Sequence, residues 1–224
     1  MGFGSGKKLR DIPIHEICYH LGPSRCLALP LFHALTGCDT TSQFLGCGKK
    51  TAWTSWQNTP GLTETLVALT NDPTLLTLNS LHMHRLERFV VIMYSKGCGV
   101  ATVNEARHRL FTSGTKALEN LPPTQSALFE HIKRALLQAS FIWNQSCSLN
   151  QQIPDFSNWG WRKEDRNIWL PHWTTLEDAS KACSILLHCG CEKSCTGNCK
   201  CTRAGVHCTG LCKCEGACVN NDDA

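Results

Sequence analysis

The chain has 224 residues and a formal net charge of +4, with 18% charged residues, which suits one sizeable core plus a small accessory module, or two modest domains. This composition excludes a histone-like polycation, so any affinity for nucleic acid has to come from local patches. The apolar runs are too short to span a bilayer and the N-terminus has no apolar signal core, so we predict an intracellular protein without a membrane partner.

The spacing of apolar residues predicts a mainly helical body. An extended piece around Pro13 leads into a first helix. Further helices are expected over 24–36, 49–58, 63–69, 82–93 and 103–111. The clearest helix follows Thr124, a candidate N-cap, and its apolar stripe continues for about five turns to Trp143.

The segment after that helix has a different composition. Residues 148–172 are polar, contain prolines and hold Trp159, Trp161 and Trp169. Because flexible linkers are poor in aromatic residues, we predict an ordered loop that packs its tryptophans on the helical body. A capping-box pattern over 174–177 then predicts a short helix that ends at Leu187 and leads into a cysteine cluster.

Nine of the sixteen cysteines lie within the thirty positions from 189 to 218, in the spacing C-x-C-x3-C-x3-C-x-C-x6-C-x3-C-x-C-x3-C. These cysteines are Cys189, Cys191, Cys195, Cys199, Cys201, Cys208, Cys212, Cys214 and Cys218. The segment has too few apolar side chains to fold by burial, so a metal has to supply the folding energy. Tetrahedral zinc takes four thiolates, and nine cysteines fill the twelve positions of about three zinc ions if three sulfurs bridge.

Two other uses of these cysteines are conceivable from the sequence. A disulfide knot is disfavoured because nine is an odd number and the chain has no secretion signal. A metallothionein-like metal store suits the C-x-C pairs, but a store has no reason to be tethered to a helical domain. We therefore predict a zinc-cluster module over 188–218.

Three segments of the cysteine cluster resemble the tesmin-type CXC domain. In chain order they are Cys-Gly-Cys-Glu-Lys-Ser-Cys, Cys-Lys-Cys-Thr-Arg-Ala-Gly-Val-His-Cys and Cys-Lys-Cys-Glu-Gly-Ala-Cys. They resemble more distantly the cysteine cluster that precedes histone-methyltransferase SET domains. The resemblance implies a three-zinc, nine-cysteine fold. We also expect a nuclear location for the chain. DNA-binding domains of this type insert a tyrosine just before the second C-x-C pair, where this chain has Asn198. DNA binding by this module and a structural or protein-docking role therefore both stay open.

A second informative stretch runs from Leu35 to Trp53 and contains a Gly-Cys-Asp triplet and a Gly-Cys-Gly-Lys-Lys turn. It is not a P-loop, because Gln43 stands where Walker A needs a glycine, and a second lysine stands where it needs a hydroxyl. It resembles the helix-two-turn-helix segment of flap endonucleases and related 5′ nucleases. By that resemblance Asp39 is a metal-site carboxylate. The phosphate contacts that the resemblance implies are Gly46, Gly48, Lys49 and Lys50.

The carboxylates of a two-metal nuclease site are largely missing from this chain, since only Asp11 and Glu16 precede Asp39. We therefore predict a zinc-binding, DNA-associated protein that derives from a 5′-nuclease-like ancestor and is not catalytic as this chain stands. The whole chain resembles animal proteins that look like mobile-element derivatives. The alternatives are a zinc-scaffolded protein-interaction module and a fragment of an active nuclease, which would need magnesium and a longer chain.

The predicted organisation has three parts. Residues 1–115 are the helical C-terminal portion of a nuclease-like fold, and 116–187 are a helical extension with the tryptophan-rich loop. Residues 188–218 form the zinc-cluster module. The fold class is accordingly mainly α with a small irregular module.

Overall fold

The computed structural model falls into two compact units, Met1–Thr174 and Thr175–Ala224, each with its own buried cluster. The structure describes residues 2–113, 117–165, 168–174, 188–192, 195, 199–203, 207–208, 212–215 and 218–220. The first unit is mainly helical and the second is irregular and rich in cysteine, so the predicted fold class is confirmed. The predicted boundary at 115–116 and most of the predicted helix over 174–187 lie outside the described residues.

The helices of the first unit are α1 (Ile14–Leu21), α2 (Pro23–Leu35), α3 (Lys49–Gln57), α4 (Leu62–Asn71), α5 (Leu81–Tyr94), α6 (Val103–Thr112) and α7 (Gln125–Leu136). Short 3-10 turns occur at Gly6–Lys8, Pro73–Leu75, Leu118–Asn120 and Phe156–Trp159. In the part of the chain that the structure describes, no helix has both the length and the apolarity needed to cross a bilayer.

Two antiparallel strand pairs complete the first unit. Strand β1 (Gly2–Phe3) pairs with β2 (Arg10–Asp11), and β3 (Trp161–Glu164) pairs with β4 (Ile168–Pro171). The second unit contributes one short helix, α8 (Lys200–Arg203), among its described residues. The predicted helices up to residue 111 are confirmed within one or two residues at each end.

Two expectations about the region after α7 were wrong in detail. The helix continues past Leu136 as a π-helical segment, Leu137–Trp143, in which the N–H of Asn144 donates to the carbonyl of Ala139, five residues back. A stripe of apolar residues over two turns cannot distinguish this wider turn from an α-helix. The tryptophan-rich region contains the β3–β4 hairpin rather than loop alone, although Trp159 does pack against the core.

Side-chain caps define where three helices begin. Ser80, Thr102 and Thr124 lie just before α5, α6 and α7, and each hydroxyl accepts a hydrogen bond from the backbone N–H three residues on, at 3.2–3.3 Å. Such caps satisfy donors that have no partner inside the helix. The predicted N-cap role of Thr124 is confirmed.

The core of the first unit surrounds α2, which packs against α4, α7 and the π-helical segment. Leu31 and Leu35 from α2, Leu66 from α4, Phe89 from α5 and Ile132 from α7 are all fully buried there. Because α5 also packs against α3 and α6, α3 and α6 are held on the same body. This packing fixes the position of the start of α3, which directly follows the predicted phosphate-binding turn.

A buried carboxylate links three of these helices. Glu87 in α5 is fully buried, and its Oε1 accepts the N–H of Val103 at 3.3 Å, at the start of α6. Its Oε2 accepts the side-chain amide of Gln125 at 3.2 Å, at the start of α7. A negative charge at a helix N-terminus is favourable, so this acid stabilises the junction.

A buried histidine makes the first unit sensitive to acid. The Nε2 of His131 lies 2.7 Å from the carbonyl oxygen of Leu35, which can only accept, so this nitrogen carries a proton and donates it. Burial lowers the pKa of His131 to about 4. An unfolded histidine titrates near pH 6.5, so stability that is complete above pH 6.5 is lost as the pH falls toward 4, by about 3 kcal/mol in all.

Urea unfolding between pH 7 and pH 4 measures this loss. The His131→Gln variant is expected to lack that part of the pH dependence, whereas a variant at the exposed His108, His108→Gln, should keep it. Equal pH dependence in the wild type and in His131→Gln would contradict the assignment.

Candidate metal centre

The second unit brings the predicted zinc ligands together. Eight of the nine cysteine side chains are buried, and Cys191 is half-buried. Among the described residues, three groups of four sulfur atoms lie with all members within 4.8 Å of one another. The groups are Cys189, Cys199, Cys201 and Cys208; Cys189, Cys195, Cys208 and Cys214; and Cys189, Cys191, Cys195 and Cys199. Several cysteines can therefore hold a metal ion such as zinc.

The sulfur–sulfur distances match the edges of a zinc–thiolate tetrahedron. Cys189 Sγ lies 3.6 Å from Cys195 Sγ and 3.9 Å from the sulfurs of Cys208 and Cys214. Cys195 Sγ lies 3.5 Å from Cys208 Sγ and 3.9 Å from Cys214 Sγ. Zinc–sulfur bonds of about 2.3 Å give a tetrahedron with edges of about 3.8 Å. A disulfide needs about 2.05 Å, and none of the described cysteines forms one, so the disulfide alternative does not fit this arrangement.

The candidate ligand groups share sulfur atoms. Cys189 belongs to all three groups, and Cys195, Cys199 and Cys208 belong to two each. Separate four-sulfur sites would need different ligands for every ion, whereas bridged clusters use the same sulfur twice. This sharing of sulfur atoms is compatible with a bridged cluster.

The two remaining predicted ligands lie at the edge of these groups. Cys212 Sγ is 3.6 Å from Cys201 Sγ, and Cys218 Sγ is 3.7 Å from Cys214 Sγ. The cysteine spacing read from the sequence has thus selected residues that lie together. None of the nine is far from another member of the set.

Hydrogen bonds to sulfur support the thiolate form that zinc needs. The hydroxyl and the backbone N–H of Thr202 lie 3.1 and 3.4 Å from Cys199 Sγ and lower the pKa of that thiol to about 6. The side-chain amide of Asn220 donates to Cys208 Sγ at 3.5 Å, and the N–H of Cys189 donates to Cys212 Sγ at the same distance. Such contacts orient metal ligands and tune their charge.

Sequence reasoning missed Thr202 and Asn220. Cys199 immediately precedes α8, and its sulfur accepts the N–H three residues on, as an N-cap does. A hydroxyl residue three positions after a clustered cysteine was the available signal for Thr202. Nothing in the sequence pattern marks Asn220, which reaches Cys208 only through the fold.

For other thiols of the cluster, burial among neighbouring sulfur atoms raises the pKa. Burial raises the pKa of Cys195, and burial together with the hydrogen bond to Cys212 raises the pKa of Cys201 to about 12. A divalent cation placed among such sulfurs offsets their mutual repulsion and displaces their protons. Metal affinity of the cluster therefore falls as the pH is lowered.

The Gly-Cys-Asp triplet ends α2 in a tight turn. Gly37 has φ +104°, and an added Cβ would lie 2.8 Å from the Cβ of Gln43. Cys38 pairs with Thr41 in an isolated β-bridge, and the hydroxyl of Thr41 donates to the carbonyl of Ala34 at 2.5 Å. The conformation of the turn and the lack of space both require glycine at position 37.

Asp39 is exposed at the tip of this turn. Among the described residues it belongs to no group of three or more candidate metal ligands. Asp39 also does not cap the next helix, because α3 has Gly48 as its N-cap.

The structure separates the roles of the two adjacent lysines. The Nζ of Lys49 donates to the carbonyl oxygens of His33 and Gly37 at 2.7 and 2.6 Å and to the hydroxyl of Thr36 at 2.7 Å. An ammonium group has three N–H donors, so all of them are engaged at the C-terminal end of α2, where a cation is favourable. Burial lowers the pKa of Lys49. Both side chains are exposed, and among the described residues the ammonium of Lys50 has no hydrogen-bond acceptor.

The predicted phosphate-binding turn leads directly into α3. Leu45 and Gly46 form the turn, and Gly48 has an extended conformation with φ −75° and provides no side-chain cap. The first N–H groups of α3 therefore have no side-chain acceptor at the N-cap position.

Comparisons with protein-family models, with curated proteins and with solved structures find no match to this chain.

Proposed function

We propose that this chain is a DNA-associated protein whose cysteine-rich unit is folded by about three zinc ions, and that it carries out no catalytic step by itself. Descent from a 5′-nuclease-like ancestor belongs to the same proposal and is supported by the Gly-Cys-Asp and Gly-Cys-Gly-Lys-Lys motifs together. A nuclear location follows from association with DNA. The role of the zinc ions is to fold the cysteine-rich unit.

The observation that carries the DNA part of the proposal is the environment of Gly48. A Cβ added there would meet nothing within 4 Å, and the φ of −75° is open to any residue. Neither packing nor backbone conformation within the protein requires a glycine. Close approach of a ligand to the backbone does require one, and uncapped N–H groups at a helix start bind phosphate well.

Lys50 supplies the charge at this position. Its side chain is exposed in the first turn of α3, next to the free N–H groups. Lys49 cannot serve in the same way without giving up its contacts at the end of α2. We therefore assign the phosphate contact to Lys50, Gly48 and the helix start.

The cysteine-rich unit contributes little attraction for phosphate. Three zinc ions and nine thiolates sum to −3, and its four basic and two acidic side chains between 189 and 218 add +2, which leaves about −1. Attraction for the DNA backbone has to come from the first unit. This charge balance favours a structural role for the cluster.

Salt-dependent DNA binding tests the proposal. The Lys50→Ala variant is expected to weaken binding several-fold at low salt and to reduce the slope of log affinity against log salt by about 1, the effect of one lost phosphate contact. Gly48→Ala is expected to weaken binding with no change in the urea midpoint. A fluorescence titration of a labelled duplex measures both effects.

The matched control is Lys163→Ala, which removes an exposed lysine on β3. It is expected to bind DNA nearly as well as the wild type. Absence of binding at low salt, or equal losses in Lys50→Ala and Lys163→Ala, would overturn the DNA assignment. A zinc-loaded chain that ignores DNA but retains a protein partner would instead establish the protein-interaction alternative.

A further inference from the structure

A polar cavity of about 360 Å³ lies between α3 and α5, away from the predicted turn. Its lining consists of Thr54, Ser55, Asn58, Arg88, Ile92 and Lys96. Two of these residues are cationic and none is acidic. We propose that this cavity binds a phosphate group.

An unpaired hydroxyl points to a missing ligand in the cavity. Ser55 is only 1% exposed, yet its Oγ has no hydrogen-bond partner. Buried polar groups in folded proteins nearly always have a partner, because an unpaired one is unfavourable. A phosphate oxygen in the cavity would accept the hydrogen bond that Ser55 otherwise lacks.

Arg88 is held in place by contacts that leave part of its guanidinium free. Its Nη1 donates to the carbonyl oxygens of Cys98 and Val100 at 2.6 and 2.7 Å. Within the described part of the chain, Nε and Nη2 donate to no protein acceptor. A fixed guanidinium with free donors matches the geometry of a phosphate, and little side-chain freedom is lost when the phosphate binds.

Lys96 completes the positive side of the cavity. It lies two residues beyond the end of α5 and is exposed, so its ammonium can close over a bound group from the solvent side. Ile92, buried one turn earlier, provides an apolar wall. With two cations and a serine hydroxyl, the cavity has the charge and the donors that a phosphate needs.

The cavity lies on the face of α3 that also carries Lys50. Residues 50, 54 and 58 are four apart, and the Thr54 hydroxyl and Asn58 side-chain amide donate to the carbonyls of Lys50 and Thr54 at 3.1 and 2.7 Å. A DNA backbone that contacts Lys50 can therefore place a second phosphate in the cavity. This choice of phosphate source rests on the proposed function, whereas the chemistry of the cavity does not.

An NMR titration with two probes tests the inference. Inorganic phosphate and a DNA duplex are added separately to the full, zinc-loaded chain, and the backbone amide signals of Ser55, Arg88 and Lys96 are expected to shift with both. Ser55→Ala is expected to weaken phosphate binding about fivefold while leaving the urea midpoint unchanged or higher, since it removes an unpaired hydroxyl. Lys96→Gln is expected to weaken it about tenfold, and Lys163→Gln serves as the matched control.

The outcomes separate this inference from the proposed function. Phosphate binding that depends on Ser55 and Lys96, without any DNA binding, would support the cavity as a site for a small phosphorylated ligand. The same result would refute the DNA assignment. DNA binding that is weakened in Lys50→Ala but unchanged in Ser55→Ala and Lys96→Gln would refute DNA as the source of the phosphate in the cavity and leave the DNA assignment intact. Absence of shifts at these amides with either probe would also overturn the cavity assignment.

Discussion

Removal of metal is expected to unfold the cysteine-rich unit while the helical unit keeps its structure. The described part of the cysteine-rich unit has a core made of cysteine side chains alone, whereas the helical unit has an apolar core of its own. Structural zinc contributes about 10–16 kcal/mol to the folding of small zinc modules, far more than a few buried thiols can supply. Limited proteolysis after chelation should therefore cut within 188–220 and spare the core of residues 1–174.

Single cysteine variants should also destabilise the cysteine-rich unit, and the effect should be larger for a cysteine that belongs to more of the candidate ligand groups. Cys189→Ser is expected to lower the zinc content and expose the unit to protease, because Cys189 belongs to all three candidate ligand groups. Cys191→Ser should have a smaller effect, because Cys191 belongs to one group and is half-buried. The control is Cys147→Ser, an exposed thiol of the helical unit, which should retain full zinc.

Two results would contradict this ranking. One is a Cys189→Ser protein with the full zinc content of the wild type. The other is resistance to protease that does not change when the metal is removed. Either result would mean that the sulfur atoms lie together without holding a structural metal.

Replacing Gly37 by alanine is expected to destabilise the helical unit by about 3 kcal/mol. The φ of +104° is unfavourable for any residue with a Cβ, and the added atom would lie 2.8 Å from Gln43 Cβ and 2.9 Å from its Cα. Strain from the backbone and overlap with the next segment each cost about 1–2 kcal/mol. Urea unfolding followed by the helical circular dichroism signal measures the loss.

The matched control for this variant is Gly97→Ala. Gly97 has no positive φ, and a Cβ there meets nothing within 4 Å, so the change is expected to fall within about 0.5 kcal/mol of the wild type. If Gly37→Ala were as stable as Gly97→Ala, the turn that ends α2 would not have the described conformation. The Gly-Cys-Asp triplet would then lack the structural role assigned to its glycine.

Local patterns in the sequence account for most of the helical unit. Apolar periodicity and N-cap residues such as Thr124 depend on neighbours within one or two turns, so they can be interpreted without the fold. The π-helical segment 137–143 and the β3–β4 hairpin depend on how the chain after α7 packs. Their sequence signals are ambiguous for that reason.

The functional residues, too, were predictable from the sequence only in part. The spacing of nine cysteines is itself the signal of a metal cluster, and the fold brings all of them together. Lys49 and Lys50 have the same chemistry and adjacent positions, and only the path of α2 shows that Lys49 is engaged at its end. The cavity joins Ser55 to Arg88 and Lys96, which lie more than thirty residues further along the chain, so no local pattern could have found it.

Zinc content per chain, measured by elemental analysis together with a thiol titration, tests the central claim most directly. The account predicts about three zinc ions per chain, with the nine clustered thiols unreactive in the native protein and reactive after chelation. A native protein that contains no zinc, or one in which these sulfurs are paired in disulfides, would contradict it.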